Sequence, residues 1–273
     1  MGSVSSAVVA CTASTGLASE RSGSGPRLVL LHGLGSDRTA WYPLCDRLAG
    51  HRELVLLDLP GHGGSGLLPP GAGWGVEAYT DVVATHLAAL GDGPVHVAGN
   101  SLGGAVALEL AARGAVASAT ALAPIGFWTS AEARYAATTL RTAQALARRL
   151  LPVAPLVLRS RTVRAALLAP FFAHPARLAT GDVLAAVAAM AGSRAVSSTL
   201  PVSRRYRLSR TGFPCPVTIA WGTRDRLLVP RQARRARLRL PSARHVRLED
   251  CGHVPMPEAP DTVAAVLLDG SRS

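Results

Sequence analysis

Val95-His96-Val97-Ala98-Gly99-Asn100-Ser101-Leu102-Gly103 is the stretch that decides how this chain is read. An apolar run of strand length ends at Ala98, and the small-residue run that opens at Ser101 reads as a helix to Arg113. A strand that turns at once into a helix brings the two backbones so close that a side chain at Gly99 or Gly103 would clash. The residue held between them projects its side chain from a tight turn, which suits a serine hydroxyl that a substrate must reach. The Gly-x-Ser-x-Gly spacing occurs once in the sequence. A serine that merely caps a helix is the duller alternative, and the strand-then-helix context weighs against it.

Outward from that turn, residues 27–31, 54–57 and 119–123 read as short buried strands, with two later ones at 217–221 and 245–248. Helical patterns at 39–49, 76–90, 231–240 and 259–268 alternate with them, which predicts a parallel sheet covered on both faces. Residues before Arg27 read as a polar, Gly/Ser-rich lead. Between Gly126 and Gly212 the rhythm breaks into helical segments rich in Ala, Leu and Arg and cut by prolines. The expected organisation is a core from residues 1–125 and 213–273, with residues 126–212 as a helical cap.

The formal charge is +12, but all 29 basic residues are arginines, and those from Arg134 to Arg247 are spread without aromatic interleaving, so nucleic-acid binding is not expected. Cys11, Cys45, Cys215 and Cys251 lack metal or disulfide-framework spacing and read as reduced thiols. The apolar stretch at residues 7–10 is too short for a signal-peptide core or a span, so a soluble, cytoplasmic protein is expected. Membrane association is not expected, and the oligomeric state is left open.

A serine hydroxyl needs a base within hydrogen-bond reach. Among the 8 histidines, His253 follows the last strand, at the same sheet edge as Ser101. His32 and His62 also follow strands, but each sits beside glycine, where a buried structural imidazole is expected. The group that orients the imidazole should be Asp225, just after the strand ending at Trp221; Asp250 is a rival, although a residue three positions from the histidine is better placed to shape its loop. Backbone N–H groups of Leu102 and of Leu34, in His32-Gly33-Leu34-Gly35, are the candidate oxyanion donors. In the cap, Phe127, Trp128, Phe171, Phe172 and Met190 are candidate walls of a substrate pocket. The cap arginines suggest attraction for an anionic substrate, or simply a solvated face.

Three segments together resemble the α/β-hydrolase superfamily: the His32 to Gly35 turn, the Asp58-Leu59-Pro60-Gly61-His62-Gly63-Gly64-Ser65 loop, and the Gly-Asn-Ser-Leu-Gly elbow. The resemblance implies an α/β fold with a mostly parallel eight-stranded sheet, a helical cap inserted after the sixth strand, a structural role for the Asp58 to Ser65 loop, and no metal or organic cofactor. It also implies a catalytic triad of Ser101, Asp225 and His253, acting on a small-molecule ester or related acyl substrate. The serine at the elbow argues against members with an aspartate nucleophile, such as epoxide hydrolases. Thioesterase, C–C hydrolase and cofactor-free perhydrolase chemistry stay open on the same triad, as does a ligand-binding member without turnover. Lipid-surface action is a further reading, resting on the basic cap and its apolar residues.

Overall fold

The structure, a computed structural model, describes residues 8–11, 16–91 and 93–272. In chain order the elements of its first half are β1 (Val8–Cys11), β2 (Ala18–Ser22), β3 (Arg27–Leu31), α1 (Tyr42–Leu48), β4 (Glu53–Leu57), α2 (Val76–Ala88), β5 (Val95–Asn100), α3 (Leu102–Ala112) and β6 (Ser118–Leu122). There follow α4 (Ser130–Leu150), α5 (Ala154–Val157), α6 (Arg161–Leu168), α7 (Thr180–Gly192) and α8 (Val196–Ser203). The chain then closes with β7 (Val217–Gly222), α9 (Arg231–Arg239), β8 (Arg244–Leu248) and α10 (Pro260–Gly270).

The eight strands form one sheet in the order β1-β2-β4-β3-β5-β6-β7-β8. From β4 to β8 every pairing is parallel, while β2 runs antiparallel to both β1 and β4. The N-terminal segment is therefore not only a lead: Ala18–Ser22 extends the sheet, with Leu17, Ala18 and Ser19 buried. Its polar composition hid this, because near the sheet edge the ladder hydrogen bonds of Ser19 to Ser22 with residues 54–57 do what an apolar run does at the centre. The residue-7–10 stretch and the Cys11 side chain lie largely outside what is described; among described residues Cys45, Cys215 and Cys251 are free thiols.

The continuous apolar runs of the central strands serve two layers, since successive side chains leave opposite faces. Val29, Leu31, Val55, Leu57 and Val97 pack with Tyr79 and Val83 of α2 and Leu102 and Val106 of α3. Leu28, Leu30, Leu54, Leu56 and Ala98 pack with Leu44 and Leu48 of α1 and Val263 and Leu267 of α10. The parallel registers bring Leu31 beside Gly99, Asn100 beside Leu122, and Gly222 beside Leu248, so the loops after β3, β5, β7 and β8 emerge on one edge. Helices α4 to α8, all between β6 and β7, lie over that edge. Helix α4 starts at a capping box, in which the Thr129 hydroxyl accepts from Glu132 N and the Glu132 carboxylate from Thr129 N.

Candidate active site

Ser101 sits between β5 and α3 at φ 57°, ψ −110°, a backbone conformation that costs a non-glycine residue about 1–3 kcal/mol and persists only where its surroundings hold it. They do: Ser101 N–H donates to Leu122 O (2.9 Å), and Ser101 O accepts from Ala105 N (3.1 Å) and Ile125 N (3.3 Å). The glycine requirement is steric. A Cβ on Gly99 would lie 2.1 Å from Gly103 O, and one on Gly103 would lie 2.3 Å from Leu31 O.

His253 and Asp225, on the loops after β8 and β7, are both buried, and His253 Nδ1 donates to Asp225 Oδ2 at 2.8 Å. The other carboxylate oxygen accepts from Leu227 N (2.9 Å) and Leu228 N (2.7 Å), which holds the carboxylate in place. With its proton on Nδ1, the ring keeps a lone pair on Nε2. Ser101 and His253 border the same cavity, and among the described residues Ser101 Oγ makes no hydrogen bond. Such contacts are commonly loose in unliganded enzymes and tighten on substrate binding.

Asp250 is turned away from this pair. It meets His174 Nε2 at 2.8 Å and Arg224 Nε at 2.6 Å, and the hydrogen bond from His174 holds its carboxyl below the usual range.

Two residues that sequence reasoning passed over hold the histidine loop. Asn100 Nδ2 donates to His253 O (3.0 Å) and Leu122 O (3.2 Å), tying the elbow to the histidine backbone. Glu258 accepts from Gly252 N and His174 N, both at 2.7 Å, and so bridges the histidine loop to the segment before α7. Burial pushes the Glu258 carboxyl up, while those N–H groups draw it down by a smaller amount. Neither residue carried a signal in spacing, because each acts on a backbone distant in sequence.

His32 and His62 are framework. Their rings meet edge to face with centroids 5.0 Å apart. Nδ1 of each faces a carbonyl, of Gly33 (2.8 Å) and Pro60 (3.0 Å), while Nε2 of each accepts a backbone N–H, from Leu59 (2.9 Å) and Gly35 (3.1 Å). Both rings are thus neutral Nδ1–H tautomers, since a second ring proton would face an N–H. Burial lowers both, His62 to about 3. Asp58 accepts from Arg38 N, Gly64 N and the Arg38 guanidinium, closing the loop around them.

The cavity has a volume of about 370 Å³. Ser101 and His253 border it, with Leu34 on the side of the β3 loop. The N–H groups of Leu34 and Leu102, the candidate oxyanion donors, donate to no acceptor among the described residues. Phe171, Phe172 and Met190 line the cavity. Phe127 does not: its ring packs against Trp221 in the core, 6.5 Å between centroids, because β6 leads it down toward the sheet before α4 begins. Trp128 lines only a second, small void of about 20 Å³ beside Ser101 and Leu102, with its indole N–H held by Tyr206 O at 3.2 Å. Much of the wall is aliphatic side chains that went unassigned, including Leu140, Leu146, Leu158, Leu167 and Val187. Of charged or titratable residues only Asp182, His253 and Tyr42 line it, and no arginine does. Among the described residues no group of His, Cys, Asp or Glu side chains is arranged to hold a metal ion.

Residues 28–266 match the profile of the alpha/beta hydrolase family. The chain is 41% identical over 92 residues, 34% of each protein, to a pimeloyl-[acyl-carrier protein] methyl ester esterase of Aeromonas salmonicida. It is 38% identical over 81 residues, 30% of each, to the (E)-2-((N-methylformamido)methylene)succinate hydrolase of Acinetobacter baylyi. It thus spans about a third of the length of these curated relatives. Among solved structures, a membrane phospholipase A described as a bacterial virulence factor is similar at 30% identity and TM-score 0.70, over 93% of this chain and 82% of that one. The enol-lactonase of Burkholderia xenovorans shares the fold, with TM-score 0.74 at 24% identity over 93% and 95% of the two chains. The strand order, the strained serine between two obligatory glycines and the long profile match agree, and the chain belongs to the alpha/beta hydrolase family.

Proposed function

We propose that this protein is a serine hydrolase that cleaves a carboxylic ester of a small, uncharged, apolar substrate through an acyl-enzyme. The observation that carries the reading is the Asp225-His253 pair at 2.8 Å, whose histidine borders one cavity together with Ser101. In the acylation step His253 Nε2 takes the Ser101 proton as Oγ attacks the ester carbonyl, and the Leu34 and Leu102 N–H groups receive the oxyanion. Collapse breaks the bond to the alcohol oxygen, which leaves with the proton from His253. Water then gives its proton to His253 and attacks the acyl carbonyl, releasing the carboxylic acid and returning the proton to Ser101.

The apolar substrate follows from the lining. The protein carries 29 arginines, yet none borders the cavity, so a free carboxylate on the acyl group finds no partner there and loses its hydration. The relatives named as methyl ester esterases support an ester as the bond cleaved. We take residues 126–212 as the cap, supported by the cavity walls that α4, α6 and α7 provide.

The test is hydrolysis of p-nitrophenyl esters of increasing acyl length by the wild type and by Ser101→Ala. The reading expects turnover that prefers longer chains and falls by about 10⁴-fold or more in the variant. Full activity in Ser101→Ala would overturn it. An inert wild type whose Ser101 still reacts with a fluorophosphonate would keep the activated serine and reject ester specificity.

A further inference from the structure

The segment Arg148-Arg149-Leu150-Leu151-Pro152-Val153-Ala154-Pro155-Leu156-Val157-Leu158-Arg159-Ser160-Arg161 joins α4 to α6 through a 3-10 turn (Leu151–Val153) and α5. Its apolar side chains divide into two sets. Leu150 and Leu158 line the cavity, whereas Leu151, Val153 and Leu156 face solvent at 42%, 45% and 69% exposure. These three lie on the 3-10 turn and on α5 directly after it, and Leu156 is among the most exposed large apolar side chains of the described residues. Pro152 and Pro155 are exposed as well.

The charge around the turn is one-sided. Residues 133–181 contain no Asp or Glu. Exposed arginines flank the apolar tip on both sides, and Arg149 and Arg159 have no ion pair or hydrogen bond among the described residues. An apolar projection ringed by unpaired arginines has the chemistry of an interfacial anchor, in which the apolar groups enter the acyl region and the cations meet anionic headgroups. No single described helix is long and apolar enough to cross a membrane.

We propose that this tip docks on an anionic lipid surface, burying Leu151, Val153 and Leu156 among the acyl chains, with Arg149 and Arg159 at the headgroups. The sequence expected no membrane association while keeping lipid-surface action as a further reading; composition showed basic residues and apolar residues but not that they share one exposed segment. Because Leu150 and Leu158, on the same segment, border the cavity, a docked protein draws an apolar molecule from the bilayer into the cavity without exposing it to water. The surface is independent of whether Ser101 is the nucleophile.

The experiment is co-sedimentation of the Ser101→Ala protein with vesicles of phosphatidylcholine, alone or with about a third phosphatidylglycerol. Binding is expected only with the anionic vesicles and should weaken as salt rises. The pair Leu151→Asp and Leu156→Asp should reduce partitioning by about tenfold or more, and Arg149→Gln with Arg159→Gln by about fivefold per arginine. With Ser101 restored, none of these four changes should alter hydrolysis of a soluble short-chain ester, since none of the residues lines the cavity. The proposal is overturned if the protein ignores anionic vesicles, or if both variant pairs bind as the parent does. It is also overturned if light scattering shows a dimer that the leucine variants dissolve while vesicle binding is absent, which would assign the tip to a second copy of the chain.

Discussion

At Asp225 the two carboxylate oxygens do different work, and that division makes a sharp prediction. Oδ1 is committed to the Leu227 and Leu228 N–H groups, and only Oδ2 meets the imidazole. In Asp225→Asn the amide oxygen must take the Oδ1 place, because two backbone donors face it. The NH₂ group is left against His253 Nδ1, the ring proton moves to Nε2, and Nε2 can then not take the Ser101 proton. Ester kcat should fall by about 10⁴-fold with little change in thermal stability; a loss below tenfold in steady-state kinetics would contradict the assigned role. Gly103→Ala tests the elbow from the opposite side. Its Cβ would come within 2.3 Å of Leu31 O and 2.6 Å of His32 O, both backbone atoms of a central strand and its loop. Those atoms cannot swing aside, so stability should drop by about 3 kcal/mol, read as a lower urea midpoint.

The His32–His62 pair makes the loops after β3 and β4 one unit, and that unit answers to pH. His62 titrates at about 3 in the fold against an ordinary 6.5, because burial opposes its charge. A depressed folded value means that the stabilisation is complete above about pH 6.5 and is lost as pH falls toward 3, the unfolded chain taking up the proton first. Two pH units inside that window are worth about 3 kcal/mol. The urea midpoint should therefore fall between about pH 6.5 and 4.5. The slope should flatten in His62→Gln, whose amide oxygen can still accept Gly35 N–H. An unchanged slope in that variant would remove His62 as the cause. The elements that carry these loops were legible as apolar runs between glycine-rich turns. β2 was not, because Ala18–Ser22 has neither an apolar run nor a clean alternation, and it becomes a strand only by pairing with residues 54–57.

Over the whole molecule, the cavity of the proposed site lies where the helices between β6 and β7 close over the sheet edge. At about 30 Å³ per water-sized group, the cavity has room for on the order of ten heavy atoms. Ala186 of α7 lines it, and a phenylalanine there would occupy part of that space. Ala186→Phe should cut kcat/KM for long acyl esters by tenfold or more and leave the acetate ester nearly unchanged, since each methylene that no longer fits is worth about 1–3 kcal/mol. Uniform loss over all chain lengths would mean that the wall does not select for size.

The sequence by itself determined the parallel sheet and the elbow, and it narrowed the candidate site to Ser101 and His253, with Asp225 preferred and Asp250 a rival. These depend on local constraints: apolar strands of fixed length, glycines where backbones touch, and residues placed directly after strands that share an edge. Only the tertiary structure decided that Asp225 rather than Asp250 meets His253, that Phe127 turns into the core while Phe171 and Phe172 face the cavity, and that Asn100 and Glu258 hold the histidine loop. A helical stripe such as Leu140, Ala143 and Leu146 announces a buried face, but core and cavity wall are the same apolar chemistry. The packing of elements far apart in sequence decides which of the two a side chain becomes.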